Sequence, residues 1–472
     1  MRNCLNRVLL CVSVALFTCL SLSAESPQTA LDMYVHKADS HYHYELVEKT
    51  PHLGYTAYLL RMTSQEWRSA SEVNQPVWRH WMTIYRPDAV TSSTGLLFIT
   101  GGATSEIHPE PNQMLASIAT TTKSVVTELH DVPNEPLTFV GDPHGPRSED
   151  EIIAYTWRKF LETGDASWPL HLAMAKAAVR AMDTVSSFAG SAEGGSMKVN
   201  HFVVAGASKR GWTTWLTAAA DPRVVAIVPM VIDVLNVVPS FKHHYQSYGF
   251  WSSAVKNYYD ENLMDDLDSK QYGKLMEIED PFSYRDRLSM PKLLINASGD
   301  QFFLPDSSKF YFDQLPGEKH LLYEANADHS LKGTDAVESL AAFYQSILDN
   351  TKRPTLQWSF EADGSLRVTT TTTPLKVTLW QADNPEHRDF RVQSIGHAYN
   401  ATELKPQKPG IYIAKVQTPK TGWTAFFVEV TYPGSRKYPF KFTTPIRVLP
   451  EVECCAIPKN EKSVMQLSNQ TR

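Results

Sequence analysis

Between about residues 55 and 350 the chain alternates short apolar runs with longer amphipathic stretches. The run GLLFITGG at 95–102 is continuously apolar and ends in two glycines, which is typical of a buried strand followed by a tight turn. The run at 81–87 is strand-like and stops at a proline. The same signals predict further strands at 56–62, 124–129, 201–206, 224–231, 291–300 and 320–326.

Helical patterns lie between these runs. The segment RSEDEIIAYTWRKFLE at 147–162 predicts a helix, because Ser148 can cap its start and acidic residues follow. Apolar residues recur at helical spacing at 170–185, and a last helix is predicted at about 335–348. Strands that alternate with helices predict a mostly parallel sheet covered on both faces, with right-handed crossovers.

The pattern loosens between residues 233 and 290, where HHYQSYGFWSSAVKNYYDENL is rich in aromatic residues. An inserted helical lid is expected there, between two strands of the sheet. Most of its aromatic side chains are expected to pack the lid onto the domain, and a few to face the substrate.

From about residue 354 the pattern changes to alternation of period two, as in LQWSF, KVTLWQA and WTAFFVEVTY. Turn residues separate these runs, and no helical pattern appears. The sequence therefore predicts an α/β domain over 25–352 and an all-β, sandwich-like domain over 353–472.

The N-terminus has the pattern of a secretory signal over residues 1–24. Arg2 and Arg7 precede a short apolar run that ends in Ser23 and Ala24, a small-residue cleavage site. The run is too short and too N-terminal to favour a transmembrane helix, so the mature chain is expected to be secreted or periplasmic, without a membrane span. Removal of residues 1–24 leaves two adjacent cysteines, 454 and 455, so the fold does not rely on a disulfide framework.

Composition narrows the function classes. The hydrophobic share of 42% and the charged share of 20% are ordinary for a globular protein. The formal net charge of -6 argues against nucleic-acid binding, which needs a basic surface. No cofactor is predicted, and no metal site either, because His243 and His244 lack further ligands at suitable spacing.

The turn between the strand HFVVAG and the following helix places Ser208 between two glycines, Gly206 and Gly211. Ser208 has two interpretations, an ordinary helix N-cap or the nucleophile of a serine hydrolase. A nucleophilic serine needs a histidine to take its proton and a carboxylate to orient the histidine. In a parallel sheet these groups lie at the carboxyl ends of strands, in the chain order Ser, Asp, His.

Two later strand ends supply the partners. Asp300 ends one strand and His329 follows the next, so the predicted triad is Ser208, Asp300 and His329. Alternatives for the carboxylate are Asp306 and Asp328. Alternatives for the histidine are His320, which begins a strand and so lies at the wrong end of the sheet, and the lid residues His243 and His244.

The oxyanion of an acyl-transfer intermediate needs N–H donors. One predicted donor is the backbone N–H of Lys209, at the start of a helix. The other is the N–H of Gly102 or Ala103, in the turn after the strand at 96–100, although the glycines there also fit a plain tight turn.

The segments VVAGASKRGWTTWLTAAADPRV, RSEDEIIAYTWRKF, FITGG and LLINASGDQFFLPD together resemble the PhoPQ-activated pathogenicity-related protein family. The resemblance implies a secreted or periplasmic protein with an α/β-hydrolase fold, but no defined substrate. The turn departs from the common G-x-S-x-G pattern, because Arg210 stands two residues after the serine and Gly211 follows. This G-x-S-x-x-G pattern is similar to that of glucuronoyl esterases, where a cation after the serine helps to hold the oxyanion. Lys209 could do so here, or could be a solvated lysine.

The leading hypothesis is a secreted serine hydrolase that cleaves a small-molecule ester or a peptide amide through an acyl-enzyme. The alternative is a non-catalytic secreted signalling or binding protein that retains the same fold.

Overall fold

The computed structural model describes residues 28–434 and 437–457, so the predicted signal segment lies outside the described residues. The strands are β1 (His43–His52), β2 (Tyr55–Glu66), β3 (Val77–Pro87), β4 (Thr94–Ile99), β5 (Val126–Leu129), β6 (His201–Ala207), β7 (Val224–Met230), β8 (Lys292–Ala297), β9 (Lys319–Glu324), β10 (Leu356–Phe360), β11 (Leu366–Thr370), β12 (Lys376–Asn384), β13 (Asn400–Glu403), β14 (Ile411–Ala414), β15 (Trp423–Tyr432), β16 (Phe440–Thr443) and β17 (Arg447–Leu449). The helices are α1 (Ala30–His36), α2 (Gln113–Thr122), α3 (Asp150–Thr163), α4 (Leu170–Gly190), α5 (Lys209–Ala220), α6 (Val237–Tyr248), α7 (Lys256–Asp260), α8 (Lys270–Glu279), α9 (Ala336–Leu348) and α10 (Val392–Ile395). Short 3₁₀ helices lie at Ser253–Val255, Leu263–Asp266, Pro281–Arg287, Ser307–Phe310 and Phe312–Gln314.

The central sheet has the strand order β1-β2-β3-β5-β4-β6-β7-β8-β9. Strands β4 to β9 pair in parallel, whereas β1, β2 and β3 pair antiparallel with one another and β3 is antiparallel to β5. Continuous apolar runs form the parallel strands because helices cover both of their faces. This mixed, mostly parallel sheet confirms the predicted α/β-hydrolase fold, in which a turn from strand to helix presents a side chain at the carboxyl edge of the sheet.

Alternate residues of the central strands enter two hydrophobic cores. Leu97 and Val204 face the core formed with α3, α4 and α5, whereas Leu96 and Val203 face the core formed with α2 and α9. This period of two follows from the pleat of the strands. The carboxyl ends of β4, β6, β8 and β9 consequently open onto one edge of the sheet.

The segment between β7 and β8 is largely helical and contains α6, α7 and α8 with three of the 3₁₀ helices. The predicted lid insertion is therefore confirmed. Most of its aromatic side chains pack inward; Phe241, Tyr258 and Tyr272 are buried in the core shared with α3 and α5.

The C-terminal β region is confirmed, but its larger sheet is continuous with the central one. Thr443 of β16 pairs antiparallel with Leu321 of β9, and β15, β12 and β13 continue the order outward. The smaller sheet, β10-β11-β14, shares a core with it, where Val368 packs with Val428 and Val430. The one-turn helix α10 interrupts this otherwise β-structured region.

Three elements of the N-terminal half were not predicted: the short helix α1, strand β1 and helix α2. Strand β1 has mostly exposed or half-buried residues and thus no apolar alternation to signal it. Helix α2 contains threonine and serine among its apolar residues. No helix of residues 28–434 or 437–457 has the length and apolar character that crossing a membrane requires.

Candidate active site

Ser208 occupies a sharp turn between β6 and α5. Its φ of 58° and ψ of -128° lie outside the regions that non-glycine residues ordinarily adopt. The serine N–H donates to the Met230 carbonyl at 2.8 Å, which fastens the turn to the end of β7. Its side chain makes no capping bond to the helix, so the N-cap interpretation of its hydroxyl is wrong. Strained backbone of this kind is typical of functional sites.

Two glycines allow α5 to begin so close to the sheet. A Cβ on Gly206 would lie 2.6 Å from the Arg210 carbonyl oxygen, and a Cβ on Gly211 would lie 2.9 Å from the Met230 carbonyl oxygen. Such distances are far inside van der Waals contact, so both positions require glycine. Gly211 thereby takes the packing role that the glycine two residues after the serine has in the common pattern, and position 210 is free to carry a long side chain.

The structure brings Ser208, His329 and Asp300 together. His329 Nε2 lies 2.9 Å from Ser208 Oγ, and His329 Nδ1 lies 3.0 Å and 2.9 Å from the two carboxylate oxygens of Asp300. With Nδ1 as the donor to the carboxylate, Nε2 is left to accept the serine proton. The three side chains come from the carboxyl ends of β6, β8 and β9.

Asp300 is buried and held by the loop that follows it. Its Oδ1 accepts the N–H of Phe302 at 2.8 Å and that of Phe303 at 3.4 Å. The two phenylalanine rings lie beside the His329 ring, at centroid distances of 4.4 Å and 5.9 Å. The Gln301 side-chain oxygen accepts the backbone N–H of His329 at 3.0 Å, so this one loop orients both the carboxylate and the histidine.

The alternative carboxylates lie elsewhere. Asp306 Oδ1 is 2.9 Å from His243 Nε2, and Asp306 Oδ2 accepts from Arg388 at 2.6 Å. Burial alone would raise the pKa of Asp306, but the interactions with His243 and Arg388 hold it well below its usual range. Asp328 accepts from the backbone and hydroxyl of Ser330.

The alternative histidines also have other partners. His243 lies between Asp306 and Glu453, the latter at 2.8 Å from Nδ1. His244 accepts the Ser252 N–H at 3.1 Å, within the lid. His320 is 2.8 Å from Glu318 and stacks on Phe442, at the amino end of β9.

The predicted oxyanion donors lie in the turn after β4 and at the start of α5. Among the described residues, the N–H groups of Gly102, Ala103 and Lys209 have no protein acceptor. Gly102 has a φ of 124°, which is strained for any residue with a side chain, so this turn requires glycine there. The buried Asp131 carboxyl lies beneath it, and burial raises the pKa of Asp131 to about 6.

The Lys209 side chain is not exposed to solvent, so the alternative of a solvated lysine is wrong. It is only 6% exposed and its ammonium pairs with Glu149 and, at 3.5 Å, with Asp150. Its charge is thus compensated by two carboxylates. Asp150 also accepts from the lid residue Tyr258 at 3.1 Å, which connects this ion pair to the lid.

The role of Glu149 was not predicted from the sequence. The predicted cap of the helix at 147–162 was Ser148, but the structure has Glu149 at the N-cap, without a side-chain cap. Its φ of 53° and ψ of -128° nearly repeat the conformation of Ser208. The Glu149 carboxylate extends to Lys209 and Arg210 instead, and this long-range ion pair moves the start of α3.

The charges in this cluster influence one another. Burial alone would raise the pKa of Glu149, but the bonds from Arg210 and the charge of Lys209 lower it. The neighbouring Glu135 accepts the Glu149 N–H at 2.7 Å, and burial together with the Glu149 charge raises its pKa. Glu149 is consequently ionised at neutral pH.

Comparison with known proteins identifies the family of this chain. The sequence pattern of the PhoPQ-activated pathogenicity-related protein family matches residues 31–391, well over half of the chain. The chain belongs to this family.

Among its relatives is autocrine proliferation repressor protein A of Dictyostelium discoideum, which is 36% identical over 463 residues, covering 91% of this chain and 92% of that protein. Solved structures with a related shape include acetyl xylan esterase 1 from Thermoanaerobacterium sp., with a TM-score of 0.47 and 16% identity over 68% of this chain and 91% of that one. A glucuronoyl esterase from Solibacter usitatus has a TM-score of 0.43 and 12% identity over 69% of this chain and 91% of that one.

In this member of the family, the C-terminal region supports the loop after β8 that carries Asp300. Val392 donates its N–H to the Gly299 carbonyl at 3.0 Å and packs where a Cβ on Gly299 would lie. Asn326, three residues before the histidine, exchanges two hydrogen bonds of 2.9 Å with the Tyr399 backbone.

Cys454 and Cys455, joined by a disulfide, lie against the end of α6. No cluster of metal-ligating side chains occurs within residues 28–434 and 437–457.

Proposed function

We propose that the protein is a secreted or periplasmic serine hydrolase that cleaves an ester or a peptide amide through an acyl-enzyme. The observation that carries the proposal is the hydrogen-bonded chain from Ser208 Oγ through His329 to Asp300, built on a strained turn. A serine, a histidine and a carboxylate in this order are the groups that acyl transfer needs. The α/β-hydrolase fold supports the proposal as a host of such chemistry.

The first half of the reaction forms the acyl-enzyme. Ser208 Oγ attacks the carbonyl carbon while His329 Nε2 takes its proton, and Asp300 stabilises the resulting imidazolium. The negative charge on the substrate oxygen is then held by the N–H groups of Lys209 and of Gly102 or Ala103. When the tetrahedral intermediate collapses, His329 returns the proton to the leaving alcohol or amine.

The second half regenerates the serine. A water molecule enters, gives its proton to His329, and attacks the acyl carbon, after which the carboxylic acid leaves and Ser208 regains its proton. The half-buried rings of Phe302 and Phe303 beside His329 favour a substrate with an apolar group next to the scissile bond.

Labelling with a fluorescent fluorophosphonate tests the proposal, because this reagent reacts with serines that a histidine activates. The wild-type protein is expected to be labelled, Ser208→Ala to be unlabelled while still folded, and Ser330→Ala, a matched serine substitution near His329, to be labelled normally. A folded wild-type protein that resists the reagent would refute the proposal. Processing is tested separately: the secreted protein is expected to begin at about residue 25, as its N-terminal peptide in a mass spectrum would show.

The name of the relative from Dictyostelium, an autocrine proliferation repressor, supports a second candidate: an extracellular signalling protein on the same fold. Adding purified protein to growing cells separates the two. A repression of growth that Ser208→Ala preserves would favour signalling, whereas a repression that this substitution abolishes would favour catalysis.

A further inference from the structure

We infer that Arg210 is the positioning residue of the proposed oxyanion site, and that Glu149 holds it in place. The inference rests on the proposed hydrolase function and adds to it a residue that touches none of the reacting atoms. It also gives a role to the long side chain at position 210, where common nucleophile turns have glycine.

The Arg210 side chain connects three separate segments. Its Nε donates to the Val132 carbonyl at 2.5 Å, in the segment that follows β5. Its two terminal nitrogens donate to the two oxygens of Glu149 at 2.9 Å and 3.0 Å, at the start of α3. A fork of this kind defines the plane and direction of a guanidinium, which a single ion pair does not do.

The third segment is the turn after β4 that carries the proposed oxyanion donors, called the oxyanion turn below. A Cβ on Gly101 would lie 2.0 Å from an Arg210 terminal nitrogen and 2.3 Å from its Cζ, so the guanidinium fills the space where a side chain would be. Gly101 immediately precedes Gly102 and Ala103, whose N–H groups are the proposed donors. The Gly101 carbonyl is also held, by the Asp131 N–H at 3.4 Å.

Because Arg210 follows Ser208 by two residues, its backbone moves with the nucleophile turn while its guanidinium contacts the oxyanion turn. The side chain is only 10% exposed, and all of its polar contacts are made within the protein. It therefore sets the distance between the serine and the N–H donors. Glu149, held at positive φ with its N–H on Glu135, keeps the guanidinium from rotating.

Arg210→Met tests this role, because it removes the fork and the charge and keeps much of the volume. With p-nitrophenyl acetate as substrate we expect kcat to fall about 100-fold and KM to change less than about 3-fold, since a displaced donor weakens transition-state binding. The rate of fluorophosphonate labelling should fall in parallel. Arg223→Met is the matched control: Arg223 makes a similar fork with Asp221 at the other end of α5 and should leave both constants within about 3-fold.

Two further variants separate position from charge and from folding. Arg210→Lys keeps the charge but cannot bind both oxygens of Glu149, so it should recover no more than about a tenth of the activity. Gly101→Ala leaves all charges in place and should cause a similar loss by pushing the guanidinium aside. In the Arg210→Ala background, where the space is empty, Gly101→Ala should add little further loss.

The inference is overturned if Arg210→Met keeps more than about a third of the wild-type kcat, if its loss only follows the folded fraction measured by thermal unfolding, or if Arg210→Lys restores full activity. It is also overturned if the losses from Gly101→Ala and Arg210→Ala multiply. In each of these cases the wild type is still labelled and the proposed function stands. A wild type that is not labelled refutes the proposed function itself, and this inference with it.

Discussion

Replacing Asp300 with asparagine should abolish most activity without unfolding the protein, because it changes which nitrogen of His329 carries the proton. Oδ1 of Asp300 accepts the Phe302 N–H at 2.8 Å, so the amide oxygen of an asparagine would take that place. The amide NH2 would then take the place of Oδ2, 2.9 Å from His329 Nδ1. Nδ1 would become the acceptor and Nε2 the donor, and Nε2 could no longer take the proton of Ser208.

The expected size of the effect follows from this tautomer change. Loss of the correct tautomer in a Ser-His-Asp triad costs about 10⁴ in kcat, or about 5 kcal/mol of transition-state stabilisation. Asparagine has nearly the same shape as aspartate, so we expect the midpoint of thermal unfolding to change by only a few degrees. Initial rates with p-nitrophenyl acetate, normalised by active-site titration of the wild type, measure the loss.

Two matched substitutions make the result decisive. Asp328→Asn changes the residue next to His329 and weakens the bonds that Asp328 accepts from Ser330 and Gln301, but it leaves the Asp300 carboxylate in place, so it should keep kcat within about 3-fold. Asp233→Asn changes a buried carboxyl at the end of β7 that accepts from two tyrosines and not from His329. Retention of more than a tenth of the activity by Asp300→Asn, or a 10⁴-fold loss in either control, would refute the assignment of Asp300.

Three further substitutions test the charges and the packing around the site. Burial raises the pKa of Asp233 from 3.8 to about 7, so its protonated form stabilises the fold fully below about pH 4, and this contribution is lost as the pH rises through 7. The stability of Asp233→Asn relative to the wild type should therefore increase between pH 4.5 and pH 8. A difference between their unfolding midpoints that does not change with pH would contradict this. Asp306→Ala leaves the buried Arg388 without its carboxylate, so urea unfolding should show a loss of about 3–5 kcal/mol, and a loss below about 1 kcal/mol would be inconsistent with the ion pair. Gly206→Ala would place a Cβ 2.6 Å from the Arg210 carbonyl oxygen, so we expect destabilisation by about 1–3 kcal/mol with slower fluorophosphonate labelling, whereas wild-type behaviour in both would argue against this close packing.

The positions of Ser208, Asp300 and His329 could be predicted because each follows a strand that is recognisable from its own residues. A continuous apolar run predicts a buried parallel strand, and the carboxyl ends of parallel strands meet at one edge. The structure brings the three side chains within hydrogen-bond distance, while their catalytic roles stay predictions. The local sequence was sufficient here because the strands define the edge.

Glu149 could not be predicted in the same way. The segment RSED has the composition of an ordinary helix start, and a serine before acidic residues predicts a cap. The cap moves by one residue because the Glu149 carboxylate binds Arg210, 61 positions further along the chain. A positive φ at a non-glycine residue is sustained by such tertiary contacts and has no local sequence signal.

The pairing of β16 with β9 was hidden for a related reason. Strand β16 has only four residues, and the sequence does not say which edge so short a strand will join. Its contact with β9 consists of one residue pair, Thr443 with Leu321, and of the Thr443 hydroxyl, which accepts the Tyr323 N–H at 3.1 Å. The predicted boundary at residue 352 separates two sequence patterns, but the sheet continues across them.

This continuity changes how the C-terminal region relates to the chemistry. The loop that carries Asp300 is bounded by Gly299, which accepts from Val392, and by Asp306, which binds Arg388. Both partners belong to the C-terminal region, and loss of Arg388 would be strongly destabilising because it removes a cation from the buried Asp306 carboxylate. Since Oδ1 of Asp300 is oriented by the backbone of this same loop, the C-terminal strands contribute to the geometry of the proposed triad although they supply none of its members. The C-terminal β region therefore continues the central sheet and braces the loop that carries Asp300.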